Sequence, residues 1–309
     1  TVRVHLHRYT RTASVWLENK PFTMKEGFLI GAGVVAAGLV LQLSVGRVVW
    51  NTFAWPVNGF VLVGFFALIA IVSLLGRRFY VCQFIGSNRA AIPALVYAVV
   101  LTIVMGLVRQ DGSGSWFSDM LSFWPFVLVY VYIALILGLV IIRRSLRFRW
   151  RRDIPFMLNH LGLFLAMTTA TLGNADMQRL KMVTTVDEPE WRALASGGAI
   201  VEMPIAIELK RFIMETYDDG SPRRFASDVQ ILTKSGKRIQ TTVDVNKPVK
   251  VDGWKIYQYG YDTQMGAMSQ ISILELVNDP WLPLVYLGIY MMLGGAVFMF
   301  VLGERRKRV

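Results

Sequence analysis

The sequence has very few residues of the kinds that form covalent or metal cross-links. Its 309 residues include one cysteine, Cys82, and three histidines. A lone cysteine excludes a disulfide framework, a CxxC redox pair and a thiolate metal cluster within this chain. The phosphate-binding loops GxxxxGKS and GxxxxGKT are also absent, which disfavours ATP hydrolysis.

Charge is scarce as well. Charged residues form 17% of the chain and hydrophobic residues 54%, with a mean hydropathy of +0.45, which lies outside the range of soluble globular proteins. Six uncharged stretches approach the roughly 20 residues that a helix needs to cross a bilayer. These stretches are 27–45, 60–76, 90–108, 123–142, 154–173 and 282–302. The sequence therefore predicts an α-helical polytopic membrane protein with six transmembrane helices.

The net charge of +12 is concentrated next to these stretches. Eighteen Lys and Arg lie in four short segments, which are 1–26, 77–90, 143–152 and 304–309. The segments 46–59 and 109–122 hold only one each. By the positive-inside rule, the basic segments and both termini are cytoplasmic. We expect the basic runs to contact membrane lipids and not nucleic acid.

Residues 174–281 have a different composition, with thirteen basic and fifteen acidic residues. Alternation of period two in "VQILTKSGKRIQTTVDV" predicts a hairpin, and Asp252-Gly253 predicts a tight turn before the strand "WKIYQYGY". We expect an extracytoplasmic antiparallel β-domain between the fifth and sixth helices. The predicted domains are a cytoplasmic segment 1–26, a five-helix membrane domain 27–173, the β-rich domain 174–281, and the final helix with its basic tail, 282–309.

One histidine lies inside a predicted membrane helix, in the stretch "IPFMLNHLGLFLAMTTATLG". An ionisable side chain in a span is costly, so His160 is a candidate functional residue. The alternative is structural, since a neutral imidazole can hydrogen-bond to a neighbouring helix. No carboxylate or lysine lies within a span, which disfavours a proton relay.

Helical geometry predicts which way His160 points. Gly162, Ala166 and Ala170 form a small-residue seam, along which another helix can approach closely. His160 projects away from this seam, along the face of Phe164, Met167 and Thr171, with Asn159 beside it. We expect His160 to face a cavity or a second subunit.

A neutral imidazole is a common axial ligand of haem iron. Two such ligands are needed for six-coordinate bis-histidine haem, yet the predicted spans contain no second histidine, and His5 and His7 precede the first span. If haem binds at His160, a partner protein must supply the other ligand.

Three stretches together resemble the ResB (CcsB) family of System II cytochrome c biogenesis. They are "NHLGLFLAMTTATLGNADMQRLK", "VNKPVKVDGWKIYQYGYD" and "VNDPWLPLVYLGIYMMLGGAVFMF", within roughly 154–302. The resemblance implies a protein of the bacterial cytoplasmic (inner) membrane. It also implies that the chain works with a ResC (CcsA)-type membrane protein to export haem b for attachment to apocytochrome c.

The family's membrane histidine, an axial ligand to haem iron, maps onto His160. The resemblance also implies that this chain is not catalytic alone but belongs to a haem-lyase complex, with haem b as its transported substrate. One departure is the number of helices before the β-domain, which is five here and commonly three in the family. Two alternatives stay open, namely a membrane anchor or scaffold subunit of a respiratory redox complex, and a non-haem scaffold or sensor.

Overall fold

A computed structural model of the chain describes residues 22–76, 78–112 and 114–306. His5, His7 and most of the predicted segment 1–26 lie outside the described residues, as does the end of the basic tail. The chain divides into two compact units. One lies within Thr1–Ala175 and Pro283–Val309, and the other is Asp176–Leu282.

The first unit is helical. Its α-helices are α1 (Met24–Val45), α2 (Val57–Leu75), α3 (Tyr80–Ile85), α4 (Asn88–Leu107), α5 (Trp124–Ser145), α6 (Trp150–Gly173) and α7 (Leu282–Arg306). Six of these helices are long and apolar enough to cross a membrane, and they coincide with the six predicted stretches. Helix α3 was not predicted because its six residues are too few for a span.

Helix α1 begins before its predicted start at residue 27 because polar residues cap it. Helix α1 begins at Met24, since the Thr23 side chain accepts a hydrogen bond from the Lys25 N–H and Glu26 reaches back to the Thr23 backbone N–H. This capping box satisfies free N–H groups of the first turn. Further along α1, Gly38 lies so close to α5 that a Cβ there would be 2.5 Å from Pro125 Cα. The absence of a side chain at Gly38 thus allows α1 and α5 to pack closely.

The second unit is an eight-stranded antiparallel sheet. Its strands are β1 (Gln178–Thr185), β2 (Pro189–Ala195), β3 (Ile200–Thr216), β4 (Pro222–Leu232), β5 (Arg238–Asp244), β6 (Val249–Val251), β7 (Trp254–Tyr261) and β8 (Ile271–Asn278). Their spatial order is β5-β4-β3-β2-β1-β8-β7-β6. The prediction of an antiparallel β-domain is confirmed. The sheet consists of two meanders, which are joined where β1 pairs with β8.

Both predicted turns form. The β4–β5 hairpin pairs Leu232 with Arg238, and its turn residue Gly236 has φ +81°. Asp252 (φ 47°) and Gly253 (φ 85°) connect β6 to β7. Positive φ at both central positions is what a two-residue type I′ hairpin turn requires.

The interior of the sheet unit is mostly aliphatic. Its fully buried side chains include Met182, Ile207, Leu209, Ile231, Ile256, Leu274 and Leu276. The side chains of Gln258, Ser227 and Ser272 are also buried and form a polar cluster. Gln258 Oε1 accepts a hydrogen bond from Ser227 Oγ at 2.7 Å, and Gln258 Nε2 donates to Ser272 Oγ at 2.8 Å. These hydrogen bonds offset the cost of burying the amide.

Candidate functional site

The start of α6 is held to the end of α5 by a buried carboxylate. Asp153 is fully buried, and its Oδ1 accepts hydrogen bonds from Arg144 at 2.5 Å and from Arg152 at 3.1 Å. Its Oδ2 accepts from the backbone N–H of Arg149 at 2.8 Å. A carboxylate in the first helical turn also interacts favourably with the helix dipole. These contacts fix the first turn of the helix that carries His160.

The His160 ring contacts Phe156, which lies one turn earlier on α6. The two rings stack with centroids 3.8 Å apart and an interplanar angle of 21°. His160 Nδ1 lies 2.9 Å from the Phe156 carbonyl oxygen. Because a carbonyl only accepts hydrogen bonds, Nδ1 carries the proton in the neutral ring and Nε2 keeps its lone pair.

The second ring nitrogen is available to a ligand. Among the described residues, His160 Nε2 has no hydrogen-bond partner, and the side chain is partly exposed. A neutral imidazole with Nδ1 bound to a carbonyl and Nε2 free has the arrangement of a metal-ligating histidine. In the described part of the chain, no group of three or more His, Cys, Asp or Glu side chains could hold a metal ion. The described residues thus present a single imidazole nitrogen here and no complete set of metal ligands.

The face of α6 that carries His160 continues into a packed aromatic cluster. Phe164 is 5% exposed and contacts Phe65 and Phe66 of α2, with ring centroids 6.3 Å and 5.8 Å away. Met167 packs against the same buried cluster. The cavities described below do not include His160 in their lining. The expectation that His160 faces a cavity or a second subunit therefore stays a prediction.

The small-residue seam of α6 packs against α7, as predicted. A Cβ on Gly162 would lie 2.6 Å from the Gly288 carbonyl oxygen, and one on Gly288 would lie 2.8 Å from the Ala166 backbone nitrogen. The contact extends to Asn159, whose Nδ2 would be 2.6 Å from a Cβ on Gly295. Ala170 is exposed, so the seam ends before it.

Two neighbouring residues of β7, Gln258 and Tyr259, differ in how much of each side chain is exposed. Gln258 is 8% exposed and belongs to the buried polar cluster, whereas Tyr259 is 51% exposed. Lys181 Nζ lies over the Tyr259 ring, 3.8 Å from its centroid. Sequence alternation predicts that these two side chains point to opposite faces of β7, but it does not predict this cation–π contact.

Comparisons with known proteins give a family match, one curated relative and one solved structure. Residues 149–272 match the ResB-like family model. The curated "Cytochrome c biogenesis protein CcsB" of Prochlorococcus marinus subsp. pastoris is 26% identical over 140 residues, which are 42% of this chain and 32% of that protein. The chain thus spans about a third of the length of this relative.

A solved structure, "Cytochrome c Heme Lyase CcmF", is similar over 79% of this chain and 45% of that chain, with 16% identity and a TM-score of 0.35. That TM-score is too low to indicate a shared fold. The ResB-like match begins at the residue before α6 and ends within β8, so it includes His160. The helices α1 to α5 and α7 lie outside it.

Proposed function

We propose that this chain is a membrane subunit of cytochrome c biogenesis, because residues 149–272 match the ResB-like family model and a CcsB protein is a partial relative. In this role it moves haem outward across the membrane. Together with a ResC (CcsA)-type partner, it presents haem for attachment to apocytochrome c. The observation that carries the proposal is the free Nε2 of His160 within the matched segment.

The proposed chemistry at His160 is reversible ligation of haem iron. The hydrogen bond from Nδ1–H to the Phe156 carbonyl holds the imidazole in one tautomer, and the stacked Phe156 ring limits its rotation. Nε2 then provides one neutral axial ligand, and the partner provides the second. A ligand set divided between two chains suits a substrate that must be passed on, because one bond can break while the other remains.

We infer that the protein resides in the bacterial cytoplasmic (inner) membrane with both termini in the cytoplasm and residues 174–281 outside. Support comes from the distribution of Lys and Arg, of which the four segments on the inner side hold eighteen and the two short segments on the other side hold one each. We further propose that the partner attaches haem to the apocytochrome and that this chain is not catalytic alone, as the resemblance of residues 149–272 to the ResB-like family implies.

A second candidate function is a membrane anchor or scaffold subunit of a respiratory redox complex. The hydrogen bond between His160 and Phe156 supports this anchor function, because a histidine that bonds within its own helix can be purely structural. The two functions differ in whether His160 is needed for haem to bind.

The test is the absorption spectrum of the protein purified with its ResC-type partner. We expect His160→Ala to lose the Soret and α bands, and added imidazole to restore them by replacing the missing ligand. Thr168→Ala is the matched control, because Thr168 also bonds to a carbonyl four residues earlier on α6 and should keep its haem. Unchanged haem content in His160→Ala would refute the proposed ligand and favour the structural role.

A further inference from the structure

A cavity of about 680 Å³ opens between the ends of α2 and α5, next to α3. Its apolar lining includes Ala70, Leu74 and Ile142, which lie within the apolar helices, and Leu146 just beyond the end of α5. Ala70 lies six residues before Gly76, which corresponds to about 9 Å along a helix axis. The cavity therefore extends from the helix ends well into the region of apolar side chains.

The opposite part of the lining is polar and cationic. It includes Gln83 of α3 together with Arg143 and Arg147. Arg143 donates to the carbonyl oxygens of Gly86 at 2.9 Å, Cys82 at 3.2 Å and Gln83 at 2.9 Å. Because these acceptors are neutral, they hold the guanidinium in place without cancelling its charge. A neighbouring cavity of about 350 Å³ shares Gln83 and Arg143 and adds Arg89.

Carboxylates do not neutralise this lining. In the described part of the chain, neither Arg143 nor Arg147 forms an ion pair with an acidic side chain. The nearby Asp153 is already paired with Arg144 and Arg152. A cavity with an apolar interior and unneutralised guanidinium groups at its mouth is complementary to an amphiphile with an anionic end.

We propose that this cavity binds an acidic phospholipid. The phosphate lies at Arg143 and Arg147, and an acyl chain lies along Ala70, Leu74 and Ile142. The bound lipid fills the space between α2 and α5, which also contact each other directly where Ile69 packs on Gly138. This site is independent of the haem-handling role, because His160 does not line the cavity.

The experiment is native mass spectrometry of the delipidated full chain in detergent. Phosphatidylglycerol and phosphatidylcholine with identical acyl chains are the probes. We expect the wild type to bind phosphatidylglycerol more tightly, and Arg147→Gln to weaken that binding about fivefold, which corresponds to roughly one interfacial cation. Arg149→Gln is the matched control, because it removes the same charge from the same basic run outside the cavity, and it should change binding by less than about twofold.

The acyl-chain part of the site is tested separately. Ala70→Phe, which fills the apolar end, should reduce phosphatidylglycerol binding, and glycerol phosphate should not compete at equal concentration. Competition by glycerol phosphate would mean that the site binds a free phosphate group, and it would overturn the lipid assignment. Equal binding of the two lipids, or equal losses in Arg147→Gln and Arg149→Gln, would also overturn it. Gel filtration of each variant identifies misfolded samples. If Ala70→Phe misfolds, Leu74→Ala, which shortens the apolar lining without adding bulk, replaces it and should also reduce phosphatidylglycerol binding.

Discussion

Single residues decide whether a histidine in an apolar helix can be both stable and reactive. His160 Nδ1 hydrogen-bonds to a carbonyl on its own helix, so part of the imidazole's polarity is satisfied locally. The other nitrogen keeps its lone pair. The structural and the ligand interpretations of His160 are therefore compatible, because the bond that satisfies Nδ1 within the helix also fixes the tautomer that a metal requires.

In the sheet unit, the pKa of Glu190 is strongly lowered. Its Oε1 accepts from Arg192 Nε at 2.9 Å and Oε2 from Arg192 Nη2 at 2.9 Å. These charge-assisted bonds lower the pKa of Glu190 from 4.5 to about 2, and backbone N–H groups of Arg192 and Trp191 add to the effect against the opposing effect of burial. A carboxyl whose pKa is lower in the folded state stabilises the fold only while it is ionised.

The direction of this pKa shift determines how stability depends on pH. The contribution of Glu190 is fully present above about pH 4.5 and is lost as the pH falls toward 2. We expect Glu190→Gln to flatten the decrease in the thermal unfolding midpoint over this interval, measured by sheet ellipticity. Glu188→Gln, which changes an exposed carboxylate two residues away, should retain the wild-type slope. Parallel slopes in all three proteins would contradict this assignment.

Sequence reasoning located His160 because an ionisable residue within an apolar run is conspicuous in a single chain. It did not locate Phe156, Arg144 or Asp153. The stacking of Phe156 on His160 depends on a rotamer, and the contact of Asp153 with Arg144 depends on how α5 and α6 meet. Neither depends on a pattern that can be read along the sequence.

At the scale of elements, the contact between α6 and α7 shows how much a small residue contributes. Gly162 and Gly288 face each other, and each would place a Cβ against the other's carbonyl oxygen. Close backbone approach of this kind lets dispersion forces act between helices where lipid removes the hydrophobic driving force. The seam on α6 was predictable from its four-residue spacing, but its partner helix was not, because many apolar helices could fill that position.

We expect Gly288→Ala to lower the free energy of unfolding by about 1–3 kcal/mol, the usual cost of overpacking. The added Cβ would lie 2.5 Å from the Gly162 carbonyl oxygen, so the helices must move apart. Gly294→Ala is the matched control, since a Cβ there meets nothing within 4 Å and alanine favours helix. Unfolding in detergent micelles measures both. Equal stability of the two variants would mean that this contact is not tight.

At the scale of the whole molecule, the first and last strands of the second unit pair with each other. Strands β1 and β8 pair over eight residues, from Gln178 with Asn278 to Thr185 with Ile271, so both ends of the unit lie side by side. Local alternation predicted the hairpin between β4 and β5, but it could not predict this pairing. The strands involved are about 90 residues apart in sequence, and their register depends on the complete core.

This pairing of β1 with β8 leads us to expect that residues 176–282 fold when expressed alone, because the sheet and its buried cluster lie within one unit. The fragment should show sheet ellipticity and a cooperative thermal transition. Two methionines give a matched pair, since Met182 is fully buried and Met268 is 71% exposed. Met182→Ala should cost about 2–5 kcal/mol by leaving a cavity, and Met268→Ala less than about 0.5 kcal/mol. A fragment without a cooperative transition would show that the sheet needs the helical unit to fold. Equal losses in the two variants would show that the buried cluster does not determine the stability of the fragment.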